Sequence, residues 1–208
     1  MEPNIPLATG STSLGLSQNR VLRNTYLLLA IALVPTVIGA VVGVNSNFSF
    51  MRASPMMMTI GIIAVFYGWI WAIEKNRDSS LGVGLLLGFT FFMGLLLGPL
   101  LQRTLGMSNG GQLIGLAAGG TAAVFFAMAG IASTTKRDLS GLGKFLGIGV
   151  IVAMVLVIAN IFFQSSAMHM TILAIFIPLS AMLMLYHLHA VVTGGETNYI
   201  SATLSIFI

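Results

Sequence analysis

Three histidines, His169, His187 and His189, are the side chains of this sequence whose proton chemistry falls nearest to neutral pH. His187 and His189 are two residues apart, which separates their directions by about 200° around a helix. Side chains on opposite faces of a helix cannot hold one ion. The pair therefore does not indicate a two-histidine metal site, and we predict no metal site in this chain.

The position of His187 allows two interpretations. In the first, a neutral imidazole bonds to a backbone carbonyl or to Asn160 and Gln164, two amides predicted in the polar interior of a helical bundle. In the second, His187 is a pH-sensing or gating residue near the cytoplasmic end of its helix. Glu196 is then its only nearby candidate partner. His169 lies at the opposite end of that helix and is predicted at the membrane interface.

The acidic residues all fall outside the middle of the apolar segments, at Glu2, Glu74, Asp78, Asp138 and Glu196. This placement argues against an intramembrane aspartyl protease and against a proton relay of paired carboxylates. A Gly-x-Ser-x-Gly nucleophile elbow, a Walker A loop and a HExxH zinc motif do not occur in the sequence. We therefore predict no enzymatic activity, no catalytic residue and no cofactor.

The composition is that of an integral membrane protein. Hydrophobic residues make up 57% of the chain and charged residues only 7%, and the mean hydropathy is +0.99. Cysteine is absent, which excludes disulfides and thiol chemistry. The basic residues behind the net charge of +4 are scattered in loops, so membrane lipid and not nucleic acid is the predicted partner.

The order of apolar and polar segments predicts an all-α, polytopic helical bundle. Residues 1–20 are rich in Pro, Gly, Ser and Asn and are interpreted as a disordered cytoplasmic tail. Residues 21–208 form one transmembrane domain, in which Ser54 caps the second helix and Pro99 ends the third. The predicted spans are six full ones at about 21–44, 55–73, 81–101, 111–132, 142–163 and 169–192, and a truncated seventh at 199–208.

The basic residues also predict the orientation in the membrane. Seven of them flank one set of connections, at Arg20, Arg23, Lys75, Arg77, Lys136, Arg137 and Lys144, against Arg52 and Arg103 on the other side. Because positive loops stay in the cytoplasm, the N-terminus is predicted there, together with the loop that carries Glu196.

Glycines spaced four residues apart are typical of membrane helices that approach each other closely. They occur as Gly39/Gly43, Gly84/Gly88, Gly94/Gly98, Gly115/Gly119 and Gly143/Gly147. These pairs predict a tight bundle and carry no indication of a ligand. Trp69 and Trp71, near the end of the second span, are predicted in the aromatic belt at the interface.

Six strings in the sequence resemble the Bax inhibitor family, and they are most similar to its bacterial YccA-like branch. The strings are VLRNTYLLLAIAL from 21, LLLGPLL from 95, GGTAAVFF from 119, TTKRDLSGLG from 134, ANIFFQ from 159 and GGETNYISATLS from 194. The most specific is the hinge motif Gly194, Gly195, Glu196, Thr197, Asn198 and Tyr199.

The resemblance implies a seven-helix bundle whose C-terminal helix is surrounded by the others. For the YccA-like branch it implies a multi-pass protein of the cell inner membrane that associates with the AAA protease FtsH and restrains it. We therefore expect a modulator of FtsH and of membrane-protein quality control, with the tail as its contact. Other branches of the family imply the alternative, a pH-sensitive calcium or cation leak, with calcium or protons as the permeant ion.

Two positions differ from the leak-type members of the family. Their acidic residue in the sixth helix falls on His187, and its partner in the seventh helix would follow Ile208, so the family's acidic pair cannot form here. As a helix, residues 199–208 extend about 15 Å, half of a bilayer. Either the chain is a fragment, or it has lost the second half of this helix; without those residues we expect lower stability than in a longer chain.

Overall fold

A computed structural model describes residues 9–46, 55–135 and 137–208, and all regular structure in these ranges is helical. The described helices are α1 Thr9–Asn45, α2 Pro55–Lys75, α3 Ser80–Leu105, α4 Gly110–Thr134, α5 Ser140–Phe163, α6 Ser166–Thr193 and α7 Tyr199–Phe207. The prediction of an all-α protein is confirmed. Ser54, the predicted cap of the second helix, lies outside the described residues.

Five of the described helices are long and apolar enough to cross a membrane, by length and composition alone. They cover Asn19–Asn45, Ser80–Leu105, Gly110–Thr134, Gly141–Asn160 and Ser166–Thr193. The chain is therefore a polytopic helical membrane protein. The span predicted at 55–73 stays a prediction, although α2 has 21 residues. Helix α7 has nine residues.

The N-terminal segment differs from its predicted form. Helix α1 begins at Thr9, so residues 9–20, which the sequence assigned to a disordered tail, continue the first apolar helix without a break. Extending a helix that already exists adds one hydrogen bond for each residue that is fixed, whereas starting a helix is costly. Neither proline of the N-terminal segment falls within residues 9–20 to stop this extension.

The helices divide into two compact units. One contains α1 to α3, the first part of α4, and α7; the other contains residues 119–195, and so the rest of α4 with α5 and α6. The sequence predicted a single domain over residues 21–208. Helix α4 belongs to both units.

In the first unit, α1 and α3 meet along glycines with almost no space between their backbones. A methyl group on Gly98 would lie 2.5 Å from the carbonyl oxygen of Gly43. Gly39 and Gly94 likewise face backbone atoms of the opposite helix. Two of the predicted glycine pairs, one on each helix, thus form a single seam, where the small residues allow van der Waals contact between backbones.

Pro99 lies inside α3, which continues to Leu105, so the prediction that this proline ends the helix is wrong. Proline has no N–H for the carbonyl oxygen of Leu95, four residues earlier. That carbonyl lies against Gly43 of α1, because a methyl group on Gly43 would be 2.5 Å from the Leu95 oxygen. Packing against a neighbouring helix is how membrane helices tolerate an internal proline.

At the end of the same seam, the Gln102 side chain of α3 bonds to backbone carbonyls at the end of α1. Gln102 Nε2 donates to the carbonyl oxygens of Val44 at 2.6 Å and Ser46 at 2.9 Å, and lies 3.3 Å from that of Gly43. Carbonyls in the last turn of a helix lack partners in their own helix. The Gln102 side chain therefore caps α1 from α3.

The remaining glycine pairs do not form comparable seams within the described residues. Gly84, Gly115, Gly119 and Gly147 face open space. Gly88 accommodates Trp69, whose Nε1 donates to the carbonyl oxygen of Leu85 at 2.9 Å. Trp69 therefore joins α2 to α3. The sequence had predicted this side chain in an aromatic belt at the membrane interface.

Helix α7 is the most buried helix of the first unit. Its Ile200 and Leu204 complete a core with Leu28 and Ala32 of α1, Ile73 of α2, and Leu86 and Phe89 of α3. This short helix contacts α1, α2 and α3. Within the first unit, α7 is thus enclosed on several sides, as the family resemblance implies for the C-terminal helix.

The second unit is built on an antiparallel α5–α6 pair. Leu146 and Ala153 of α5 pack with Leu179 of α6. The ring of Tyr186 lies across Gly143, at the end of the pair opposite to the turn between the helices. A side chain at position 143 would occupy the same space as the tyrosine ring, so this glycine sets how deeply Tyr186 is seated.

Candidate functional site

The hinge motif begins where α6 ends. Gly194 caps α6 with φ 78° and ψ 16°, in the left-handed region that glycine adopts without strain. The N–H of Gly195 donates to the carbonyl oxygen of Ala190 at 2.8 Å, which satisfies part of the helix end. The two glycines therefore terminate the sixth helix, and any other residue at 194 would be strained.

Asn198 starts α7 with its side chain. Its Oδ1 accepts from the backbone N–H of Ile200 at 2.9 Å and of Ser201 at 3.2 Å. These groups are among the first N–H donors of the helix, which have no partner within it. Glu196 supports the same turn, since its Oε1 accepts from the N–H of Asn198 at 2.9 Å.

The Asn198 amide also reaches the turn between α2 and α3. Its Nδ2 donates to Asp78 Oδ1 at 2.8 Å and to the carbonyl oxygen of Arg77 at 3.0 Å. One side chain thus uses its oxygen to begin a helix and its nitrogen to attach that helix to a distant turn. No other polar amino acid of this size offers both groups in one plane. Thr197 is exposed, and Tyr199 is half-buried against the core of the first unit.

Glu74 lies beside the first turn of α7. Its Oε2 accepts from Ser201 Oγ at 3.0 Å and faces Arg77 Nη1 at 3.6 Å. The Glu74 side chain is 39% exposed, so solvent weakens this ion pair. The carboxylate therefore stands at the aqueous end of α7 and bonds to a hydroxyl that is itself buried.

Buried hydroxyls continue from Ser201 into the core. Thr203 is fully buried; its Oγ1 donates to the carbonyl oxygen of Tyr199 at 2.7 Å and lies 3.4 Å from that of Thr25 on α1. Thr25 and Thr90 are also buried. The sequence interpretation did not single out these hydroxyls. The small polar residues of the motif's SATLS segment were the signal for Ser201 and Thr203.

His187 and Glu196, the predicted gating pair, belong to different compact units, and their pairing stays a prediction. His187 is half-buried, with its ring edge-on to that of Tyr186 at a centroid distance of 5.4 Å. Glu196 bonds locally, to the N–H of Asn198.

The second histidine of the pair is the more unusual one. His189 is only 7% exposed, and its Nε2 has no hydrogen-bond partner among the described residues. In the part of the chain that the structure describes, no group of three or more His, Asp or Glu side chains gathers in a way that suits a metal ion.

Asn160 and Gln164 lie at the turn between α5 and α6. Asn160 Oδ1 accepts from the N–H of Ser165 at 3.2 Å, and Gln164 is exposed with φ 46° at the end of α5. The sequence placed both amides in the bundle interior; in the structure the Asn160 side chain bonds to the backbone before α6, and Gln164 is exposed. They border an open cavity of about 650 Å³ that His169 also lines.

These amides cannot be the partners of His187. Tyr186 packs on Gly143, so its neighbour His187 lies at the opposite end of the helix pair from Asn160. The 17 residues between positions 143 and 160 of one helix correspond to about 25 Å. That half of the first interpretation of His187 is therefore wrong. Periodicity could not reveal it, because the direction in which a chain turns is set by its helix ends.

The family model described as "Inhibitor of apoptosis-promoting Bax1" matches residues 18–208. The chain belongs to the Bax inhibitor family. A protein of Neisseria meningitidis serogroup A is 42% identical over 194 residues, which cover 92% of this chain and 86% of that relative.

Two Escherichia coli relatives carry the name YccA. The protein of strain K12, "Modulator of FtsH protease YccA", is 36% identical over 193 residues, which cover 93% of this chain and 85% of that relative. The protein of E. coli O6:H1, "Inner membrane protein YccA", has the same identity and coverage. The resemblance of the sequence to the YccA-like branch of the Bax inhibitor family is confirmed.

Proposed function

We propose that this Bax inhibitor family protein modulates an FtsH-type AAA protease from the inner membrane and thereby acts in membrane-protein quality control. The similarity to the E. coli K12 modulator, over 93% of the chain, carries this proposal. The role is non-enzymatic. It agrees with a molecule whose described polar groups serve mostly to cap helices and to join them.

The N-terminal extension of α1 suits a contact with a protease. The apolar run of this helix begins at Val21, whereas the helix begins at Thr9. Residues 9–20 therefore project about 18 Å beyond the apolar run as a helix. With the N-terminus in the cytoplasm, as the basic residues predict, this projection faces the compartment in which the protease ring of FtsH is expected.

Deleting residues 2–18 is expected to abolish co-purification with FtsH in a detergent pull-down, because the deletion removes the projecting turns and leaves the span intact. A variant in which a Gly/Ser segment of equal length replaces these residues separates the effect of sequence from that of length. Undiminished binding by the deletion variant would refute the role of the tail. Slower FtsH degradation of a membrane substrate in proteoliposomes, dependent on the full chain, tests modulation itself.

A pH-sensitive calcium or cation leak is the second candidate. The buried hydroxyls of Ser201, Thr203 and Thr25 favour it, since polar groups within a membrane bundle are costly and often mark ion paths. Against it, Thr203 and Thr25 each donate to a carbonyl oxygen four residues earlier in the same helix. Such bonds satisfy a hydroxyl without any permeant ion.

Liposome flux of calcium and protons tests the leak. If His187 gates it, the wild-type flux is expected to differ between pH 6 and pH 8, near the titration range of histidine, and His187→Ala is expected to lose that difference. His169→Ala is the matched control, because His169 lies at the other end of α6. Absence of flux in the wild type at both pH values rejects the channel.

A further inference from the structure

The turn between α3 and α4 contains the one Asn-Gly pair of the sequence, Asn109 followed by Gly110. An asparagine side chain can react with the backbone nitrogen of the next residue. Glycine at that next position hinders the reaction least, because it has no side chain. Neither proposed function makes use of this turn, so the pair is a candidate for chemical modification of the chain itself.

The Asn109 side chain is accessible for such a reaction. Residues 105–109 are all exposed, and no hydrogen bond of the Asn109 side chain occurs among the described residues. Asn45, at the end of α1, is also exposed, but its Nδ2 donates to the carbonyl oxygen of Val41 at 2.8 Å. The Asn109 amide is therefore the less restrained of the two exposed amides.

Packing requires glycine at position 110. Gly110 is buried, and a methyl group there would overlap the carbonyl group of Thr104 in the last turn of α3. A backbone carbonyl cannot turn aside as the end of a flexible side chain can. The close connection from α3 to α4 thus retains the residue that makes Asn109 most reactive.

One hydrogen bond restrains the nitrogen that would react. The N–H of Gly110 donates to the carbonyl oxygen of Met107 at 3.1 Å, so the turn has to open before this nitrogen can lose its proton. The N–H of Met107 donates to the carbonyl oxygen of Thr104 at 3.0 Å within the same turn. Exposed turns with few backbone bonds open at a lower free-energy cost than helix interiors. Opening therefore slows the reaction without preventing it.

We propose that Asn109 is a site of spontaneous deamidation in the folded protein. Hydroxide removes the proton of the Gly110 N–H, and the nitrogen attacks Cγ of Asn109. The new N–Cγ bond closes a succinimide ring; the Cγ–Nδ2 bond breaks, ammonia leaves with a proton from water, and hydroxide is regenerated. Water then opens the ring at one of its two carbonyl groups. The net reaction converts an amide and water into a carboxylate and ammonium, and it needs no oxidant or reductant.

The ring opens to two products with opposite effects on α4. Aspartate at position 109 places a carboxylate before the first turn of α4, which has no acidic residue, and negative charge is favourable there. Isoaspartate instead carries the backbone through the side-chain carbon and adds one methylene group before Gly110. The longer backbone displaces Gly110 from its place against Thr104. This proposal does not depend on a role in protease modulation.

Peptide mapping by mass spectrometry tests the proposal on the full chain, incubated in detergent at neutral and at mildly alkaline pH. Asn109 should lose its amide progressively, and faster at the higher pH, because hydroxide removes the proton of the attacking nitrogen. The reaction should be roughly tenfold slower than in a synthetic peptide of the turn, since opening has to come first. Asn45, which Ser46 follows, is the internal control and should stay intact. No loss at Asn109, or equal loss at Asn45, overturns the proposal.

Variants connect the chemistry to position 109. Asn109→Gln should abolish the isoaspartate that an isoaspartyl methyltransferase detects, because its longer side chain would have to close a larger and less favourable ring. Asn109→Asp, which represents one product, should melt at the same temperature as fresh wild-type protein or higher. Aged wild-type protein should melt lower than equally aged Asn109→Gln protein. Isoaspartate that persists in Asn109→Gln, or equal melting of the two aged proteins, contradicts the proposal.

Discussion

Gly98→Ala is expected to destabilise the protein by about 3 kcal/mol, because one added methyl group separates α1 from α3. The methyl would lie 2.5 Å from the carbonyl oxygen of Gly43, a backbone atom that cannot turn away. The result is measured as a lower melting temperature of the purified protein in detergent.

The control for this prediction lies on the same helix. A methyl group added at Gly84 would have no atom from another part of the described chain within 4 Å, so Gly84→Ala should leave the melting temperature unchanged or raise it. Gly43→Ala should cost about as much as Gly98→Ala. The double variant should cost less than both together, because the two methyl groups disrupt one contact. Equal melting temperatures for Gly98→Ala and Gly84→Ala would contradict the importance of the seam.

The glycine pairs show how far a sequence predicts packing. Spacing predicted that pairs four apart would let helices approach, and Gly39/Gly43 with Gly94/Gly98 do so. It could not show that these two pairs face each other, while Gly115/Gly119 face open space. The difference depends on how each helix is rotated, and a helix that is apolar on every side contains little information about its rotation.

Helix ends were predicted less well than helix centres. Long apolar runs identify the middle of a span because lipid requires them. Pro99 was expected to end α3. Instead, the Leu95 carbonyl oxygen, which Pro99 leaves without an N–H donor, packs against Gly43, 56 positions earlier than the proline in the chain. An interaction so distant in sequence is not visible in local propensity.

The candidate sites show the same limit. The family resemblance identified the hinge motif in the sequence. However, Asn198 attaches α7 to the rest of its unit by hydrogen bonds to Arg77 and Asp78, which are 121 and 120 positions away. The sequence also indicated His187 as the candidate, whereas among the described residues the buried imidazole whose Nε2 has no hydrogen-bond partner is that of His189. Two residues apart on one helix, the histidines differ only in which way they face.

Asn198→Ala is expected to cost about 3 kcal/mol, since it removes the cap of α7 together with the two bonds to the α2–α3 turn. Thr197→Ala, at the exposed neighbouring position, should change stability little. The melting temperature in detergent and protease resistance of the C-terminal segment are the measurements. Similar values for the two variants would show that the motif does not hold α7 in place.

Asn198→Asp separates the two functions of this side chain. Aspartate keeps the oxygen that caps α7 but loses the donor, and it places a second carboxylate where the amide now lies 2.8 Å from Asp78 Oδ1. Like charges at that distance repel, so this variant should be nearly as unstable as Asn198→Ala. Adding Asp78→Asn returns an amide donor from the other side, and the double variant should recover most of the lost stability. Without that recovery, the bond between Asn198 and Asp78 would not be what attaches the last helix to the rest of its unit.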